Sequence, residues 1–136
     1  MRKILLATHG DFAAGILNAA ELILGKIENV QVLCAYLDPT ENFSEKAKTV
    51  VSSIAEGDEM IVVTDIFGGS VNNEFIKYLD HQGMYLISGL NLPLLIELVL
   101  SQENDTEKMI SEIISQMSKQ ICYCNRLVID ETTDDF

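Results

Sequence analysis

Short apolar runs alternate with longer amphipathic stretches along most of the chain. Residues 3–8 are continuously apolar after one lysine, and residues 12–24 carry apolar groups at helical spacing, with Asp11 as the expected N-cap and Gly25 as the stop. Residues 30–37 form a second strand-like run, closed by Asp38-Pro39, and residues 41–55 a charged amphipathic helix. A third strand is expected over 59–64, a helix over 70–79, a fourth strand at Tyr85-Leu86-Ile87, and helices over 92–101 and 105–119. Pro93 falls in the first turn of the former helix, where proline is tolerated. Residues 121–129 read as a last strand, and Asp130 to Phe136, with four acids in seven residues, as a frayed acidic tail.

Strands that read as unbroken apolar runs are buried on both faces, as in a parallel sheet sandwiched by helices. The order βαβαβαβ followed by helices therefore predicts a three-layer, doubly wound α/β fold in one domain, residues 1–129, with a mostly parallel sheet. A flavodoxin-like strand order, 2-1-3-4, is expected.

Composition narrows the function. The chain has 136 residues and is 48% apolar, enough for a core without staples. Its 9 basic and 21 acidic residues leave a net charge of −12, which repels nucleic acid and anionic membrane surfaces. No stretch approaches the roughly 20 apolar residues of a membrane span, and the apolar run after Arg2-Lys3 is too short for a signal peptide. A cytoplasmic location is expected. The three cysteines then read as thiols: Cys34 as a core residue, Cys122 and Cys124 as small apolar groups on the terminal strand, with no nearby residues to complete a metal site.

The chemistry is expected at the carboxyl ends of the strands. The first ends at Thr8-His9-Gly10 and the third at Asp65, followed by Ile66-Phe67-Gly68-Gly69-Ser70. In the order 2-1-3-4 these ends are neighbours, so Asp65 faces His9. A carboxylate that accepts the protonated ring nitrogen fixes the tautomer and leaves the other nitrogen as a nucleophile. Gly10, Gly68 and Gly69 permit sharp turns, Ser70 is placed to cap the next helix and hold an anion, and these four residues are the expected phosphate-binding set. His81, beside Asp80 at a helix C-terminus, reads as structural. Nucleotide-binding loops and a His-Glu-x-x-His zinc motif are absent, so a cofactor-free reaction on His9, without metal, is expected.

Four ordered motifs carry a family resemblance: Thr8-His9-Gly10; Leu24-Gly25 followed by Glu28-Asn29-Val30; Thr64-Asp65-Ile66-Phe67-Gly68-Gly69-Ser70; and Gly89-Leu90-Asn91-Leu92-Pro93. Over residues 1–129 the chain resembles the IIA component of the mannose-type (mannose-fructose-sorbose) family of the bacterial phosphoenolpyruvate-dependent sugar phosphotransferase system. The resemblance implies a phosphocarrier. Its histidine, matching His9, takes a phosphoryl group from the carrier protein HPr and passes it to a histidine of the IIB component, during uptake through membrane components IIC and IID. Asp65 matches the residue that orients the imidazole, and Ser70 one that lines the phosphate site. The resemblance also implies a homodimer that exchanges an antiparallel C-terminal strand, here 121–129. One departure is Val71, where the family usually has proline, which is expected to loosen the turn. Two other readings of the same fold are a regulatory phospho-acceptor module and the phosphotransfer subunit of a dihydroxyacetone kinase.

Overall fold

The computed structural model describes residues 1–127. Four strands, β1 (Arg2–His9), β2 (Val30–Ala35), β3 (Glu59–Thr64) and β4 (Met84–Ser88), form one sheet in the order β2-β1-β3-β4. Every pairing is parallel. The expected order is therefore the observed one.

Side-chain alternation along β1 sorts the core into two layers. Ile4 and Leu6 point to one face, where they meet α1 (Phe12–Leu24), α4 (Leu92–Leu100) and α5 (Thr106–Gln116) through Ile16, Leu94, Leu95, Leu98 and Met109. Leu5 and Ala7 point to the other face, against α2 (Phe43–Ser52) and α3 (Ser70–Ile76) through Val51, Val71 and Phe75. Phe75 is completely buried, which contributes about 2–3 kcal/mol relative to exposure. The sheet is thus the middle layer of three.

Local signals account for most element ends. Asn42, Asn91 and Asp105 accept from the amides of Glu45, Leu94 and Lys108, capping α2, α4 and α5. Gly25 ends α1 at φ +85°. The expected helices over 41–55, 70–79 and 105–119 are shorter than their apolar pattern. The last of them tightens into a 3-10 turn over Met117–Gln120. The strand expected over 30–37 stops at Ala35, because Tyr36 turns into the left-handed region at φ +67°.

Two expectations are corrected. Asp11 occupies the N-cap of α1 but makes no side-chain bond there. Thr8, buried at the end of β1, does the capping: its Oγ1 accepts from the Ala13 amide at 2.8 Å. Alternation aims Thr8 at the α1 face, whereas Asp11 lies in the turn. Nor is there a strand in the described part of 121–129. Residues 121–127 are irregular around a 3-10 turn, Cys124–Arg126, and Cys122 and Cys124 are exposed. A strand exists only where an edge pairs with it, and within one copy of the chain no edge does so for this segment. Residues 128–129 and the tail 130–136 lie outside the described residues. Among the described residues, no helix is long and apolar enough to cross a membrane.

Candidate functional site

Register brings the two predicted side chains together. Ala7 of β1 pairs with Thr64 of β3, so Asp65 follows alongside Thr8 and His9. The odd-numbered His9 leaves the sheet on the face that carries α3, opposite to Thr8. Asp65 Oδ2 accepts from the His9 backbone amide at 2.9 Å and lies 2.8 Å from His9 Nδ1. Its second oxygen accepts from the Ile66 amide at 3.1 Å. The Asp65 side chain is 14% exposed and that of His9 is 43% exposed. The carboxylate is therefore enclosed while the imidazole remains open to a partner.

Burial pushes the Asp65 carboxyl up, but the hydrogen bonds from the His9 amide and ring outweigh it and hold the group below the ordinary carboxylate range. Asp65 is thus ionised at neutral pH and accepts the Nδ1 proton. In the neutral ring Nε2 then carries the lone pair. It faces Ser70, whose Oγ stands 3.4 Å away.

The glycine turns set these distances. Gly10, at φ +57°, reverses the chain directly after His9, and its amide donates to the Ala35 carbonyl at 2.9 Å. Gly69 is close-packed: a Cβ there would lie 2.7 Å from Ile66 Cγ2 and 3.4 Å from His9 Cε1. A side chain at Gly69 would crowd the imidazole. The Gly68 carbonyl accepts from Asn73 Nδ2 at 3.1 Å, tying the loop to α3. Thr64, buried at the end of β3, donates to Asn72 Oδ1 at 2.8 Å and fastens that helix to the strand.

Ser70 does not cap α3 as expected. Gly69 holds the N-cap position without a side-chain bond, and Ser70 is the first helical residue. Its hydroxyl is instead shared between His9 and the Tyr36 hydroxyl, 2.7 Å away. Val71 is completely buried in the α3-side core beside Leu5 and Phe75. The first turn of α3 is therefore anchored by packing of this side chain.

His81 is remote. It sits before β4, at the amino end of the sheet, with Nδ1 3.0 Å from the Gln82 carbonyl. Among the described residues, no group of three or more His, Cys, Asp or Glu stands together as a metal site.

Tyr36 was not singled out from the sequence. Its signal was available: β2 flanks β1 on the side away from β3, so the end of β2 also abuts His9. The aromatic character of Tyr36 blends into the apolar run that precedes it.

Comparisons with known proteins show which family the chain resembles. The family model described as "PTS system fructose IIA component" matches residues 3–115. The "PTS system fructose-specific EIIA component" of Bacillus subtilis (strain 168) is 27% identical over 127 residues, covering 90% of this chain and 87% of that protein. The "PTS system mannose-specific EIIAB component" of Escherichia coli (strain K12) is 30% identical over 108 residues; the match takes in 75% of this chain but 32% of that longer protein. A crystal structure of a candidate phosphoenolpyruvate-dependent sugar phosphotransferase system (PTS) permease from Klebsiella pneumoniae subsp. pneumoniae MGH 78578 superimposes with a TM-score of 0.88 at 45% identity, covering 92% of each chain. Because the family match runs from β1 into the last turn of α5, through every element that builds the site, the chain belongs to the mannose-type IIA family of the bacterial sugar phosphotransferase system.

Proposed function

We propose that this protein is a phosphocarrier: His9 accepts a phosphoryl group from phospho-HPr and hands it to a histidine of the IIB component. The observation that carries this reading is the Asp65–His9 pair, which presents Nε2 as an exposed lone pair. In the accepting step the Nε2 lone pair forms a bond to phosphorus. The bond from phosphorus to the donor's ring nitrogen breaks, and its electrons return to that nitrogen. No proton has to be removed from His9, because Nδ1 keeps its hydrogen, donated to Asp65, and the positive charge that develops on the ring is met by the carboxylate. The Ser70 hydroxyl and the amides of Gly68 and Ser70 are the groups available to the phosphoryl oxygens, since the Gly69 amide donates to the Ile66 carbonyl; Gly10 supplies the turn. Passing the group to IIB repeats the step in reverse, phosphohistidine to phosphohistidine, so the energies are nearly balanced. Positioning and electrostatics then suffice, without a cofactor or metal.

The surroundings suit a protein partner. Leu37, Ile66 and Phe67 on loops and Phe12 at the start of α1 are exposed at the His9 end of the sheet, Phe67 at 79%. A flat site with an apolar rim fits docking of another protein better than capture of a small substrate. The carrier domain comprises residues 1–129 and acts at the cytoplasmic side of the membrane components IIC and IID. It works as a homodimer in which the segment after Gln120 finds a strand edge on the second copy.

The test is phosphorylation of the full chain with phosphoenolpyruvate, enzyme I and HPr, read by intact mass before and after acid. One acid-labile phosphate is expected on wild type and on His81→Ala, and none on His9→Ala. Absence of phosphate on the folded wild type, with HPr shown to be competent, would overturn the reading.

A further inference from the structure

We infer that Tyr36 is a positioning residue for His9: its hydroxyl donates to Ser70 Oγ and so aims the single Ser70 hydrogen at Nε2 and at the phosphoryl oxygen that arrives there. The inference rests on the phosphocarrier reading of His9.

Counting hydrogens sets the direction of the chain of bonds. Asp65 Oδ2 accepts from Nδ1–H at 2.8 Å, which leaves Nε2 as an acceptor. Ser70 Oγ, 3.4 Å from Nε2, must therefore be the donor in that contact. Serine has one hydroxyl hydrogen. With it turned toward His9, the 2.7 Å contact to Tyr36 is made by the tyrosine hydrogen. The order is Tyr36 to Ser70, Ser70 to Nε2, and Nδ1 to Asp65. The Ser70–Nε2 separation is at the long end for a hydrogen bond, so the serine can release Nε2 readily. When the Nε2 lone pair goes into the bond to phosphorus, the same serine hydrogen turns to a phosphoryl oxygen. Tyr36 remains the donor to Ser70 in both states, and no proton changes owner.

The backbone supports this assignment independently. Tyr36 is the one non-glycine residue at positive φ among the described residues, at +67°. That conformation is strained for a residue with a side chain. Glycine would remove the strain and with it the ring and hydroxyl. The ring is held over the site by an aromatic series: Tyr36 lies 5.5 Å from the His9 ring and 6.0 Å from Phe43, which meets the buried Phe75 edge-on at 6.1 Å. The hydroxyl is thereby referred to the hydrophobic core rather than left on a free loop.

The experiment compares wild type, Tyr36→Phe, Ser70→Ala and the double variant. Tyr36→Phe keeps the ring and removes only the hydroxyl. Two readouts are taken: the rate of phosphorylation by phospho-HPr, and the ¹⁵N shift of His9 Nε2 in the unphosphorylated protein. The expected result is a rate about threefold to tenfold lower in Tyr36→Phe, the size of one hydrogen bond, together with a displaced Nε2 shift. In the Ser70→Ala background, Tyr36→Phe should change neither readout. A Tyr36→Phe protein with wild-type rate and Nε2 shift, or effects of the two substitutions that simply multiply, would overturn the inference. Failure of the carrier reading is distinguishable, because there the wild type itself takes no phosphate.

Discussion

Asp65 Oδ2 accepts two hydrogen bonds from one residue, from the His9 amide at 2.9 Å and from the His9 ring at 2.8 Å. One oxygen therefore holds both the strand end and the imidazole. The backbone bond fixes where the ring starts, and the ring bond fixes its rotation and tautomer.

Replacing this carboxylate by its amide separates charge from shape. Asp65→Asn can still fill the space, but it cannot meet the charge that develops on His9. The variant is expected to fold and to accept phosphate from phospho-HPr on the order of 10²–10⁴ times more slowly, by analogy with removal of a carboxylate that orients a reacting histidine. Rapid-quench phosphorylation measures this; a rate within a factor of two of wild type would contradict the assigned role.

The same pair should be visible in acid. The folded-state value of Asp65 lies below its ordinary one, so its ionised form stabilises the native state. That contribution is complete above the unfolded value of about pH 4 and disappears as pH falls through the lower folded value. Asp65→Asn has no such component. The stability gap between wild type and Asp65→Asn is expected to narrow as pH falls below about pH 4. Urea midpoints across that range test it, and a gap that does not narrow would sink the linkage.

The cap of α1 gives a prediction that the sequence alone would reverse. Thr8→Val keeps the shape but removes the acceptor for the Ala13 amide, at a cost of about 1–2 kcal/mol. Asp11→Ala touches no cap bond and should stay within about 0.5 kcal/mol of wild type. Chemical denaturation of the two variants gives the order directly.

Val71 stands where the family usually has proline, and its burial makes it a packing residue. Val71→Ala should cost about 2 kcal/mol through lost burial and the cavity left behind. Local loosening of α3 should appear as faster amide exchange at Asn73 and Glu74. Unchanged stability would mean that the first turn of α3 is held by something other than this side chain.

Oligomeric state provides the last test. Leu22 and Ile23 on α1 and Ile121 and Tyr123 after the 3-10 turn are exposed, Ile121 at 88%. Apolar side chains left uncovered in this number mark a surface that another chain can bury. Sedimentation is expected to give a dimer for the full chain and a monomer for a chain ending at Gln120. A monomeric full chain would refute the proposed exchange.

Much of the fold was legible because parallel strands covered on both faces must be apolar without a break. Such runs at 3–8, 30–37 and 59–64 point to this architecture, and the order 2-1-3-4 expected for it places His9 beside Asp65. The caps of α4 and α5, Asn91 and Asp105, stand as single polar residues before an amphipathic run, whereas Asn42, the cap of α2, lies inside the helix expected over 41–55. The cap on α1 was not readable, since Thr8 and Asp11 both have a suitable oxygen and only the strand's side-chain alternation selects between them. Ser70 was expected both to cap α3 and to hold an anion; it does not cap, and its contacts with His9 and Tyr36 come from two other elements.

By itself, then, the sequence determined the α/β alternation, which follows from local periodicity combined with burial of both sheet faces. The flavodoxin-like strand order expected for that fold class then set His9 beside Asp65 at the carboxyl ends of the strands. Tertiary structure alone decided that Thr8 caps α1, that Tyr36 turns left-handed to reach Ser70, and that residues 121–127 form no strand in a single copy. These outcomes depend on side-chain direction at a strand end, on distances between residues 34 positions apart, and on whether a sheet edge is available to pair. None of the three is a property of a local window of sequence.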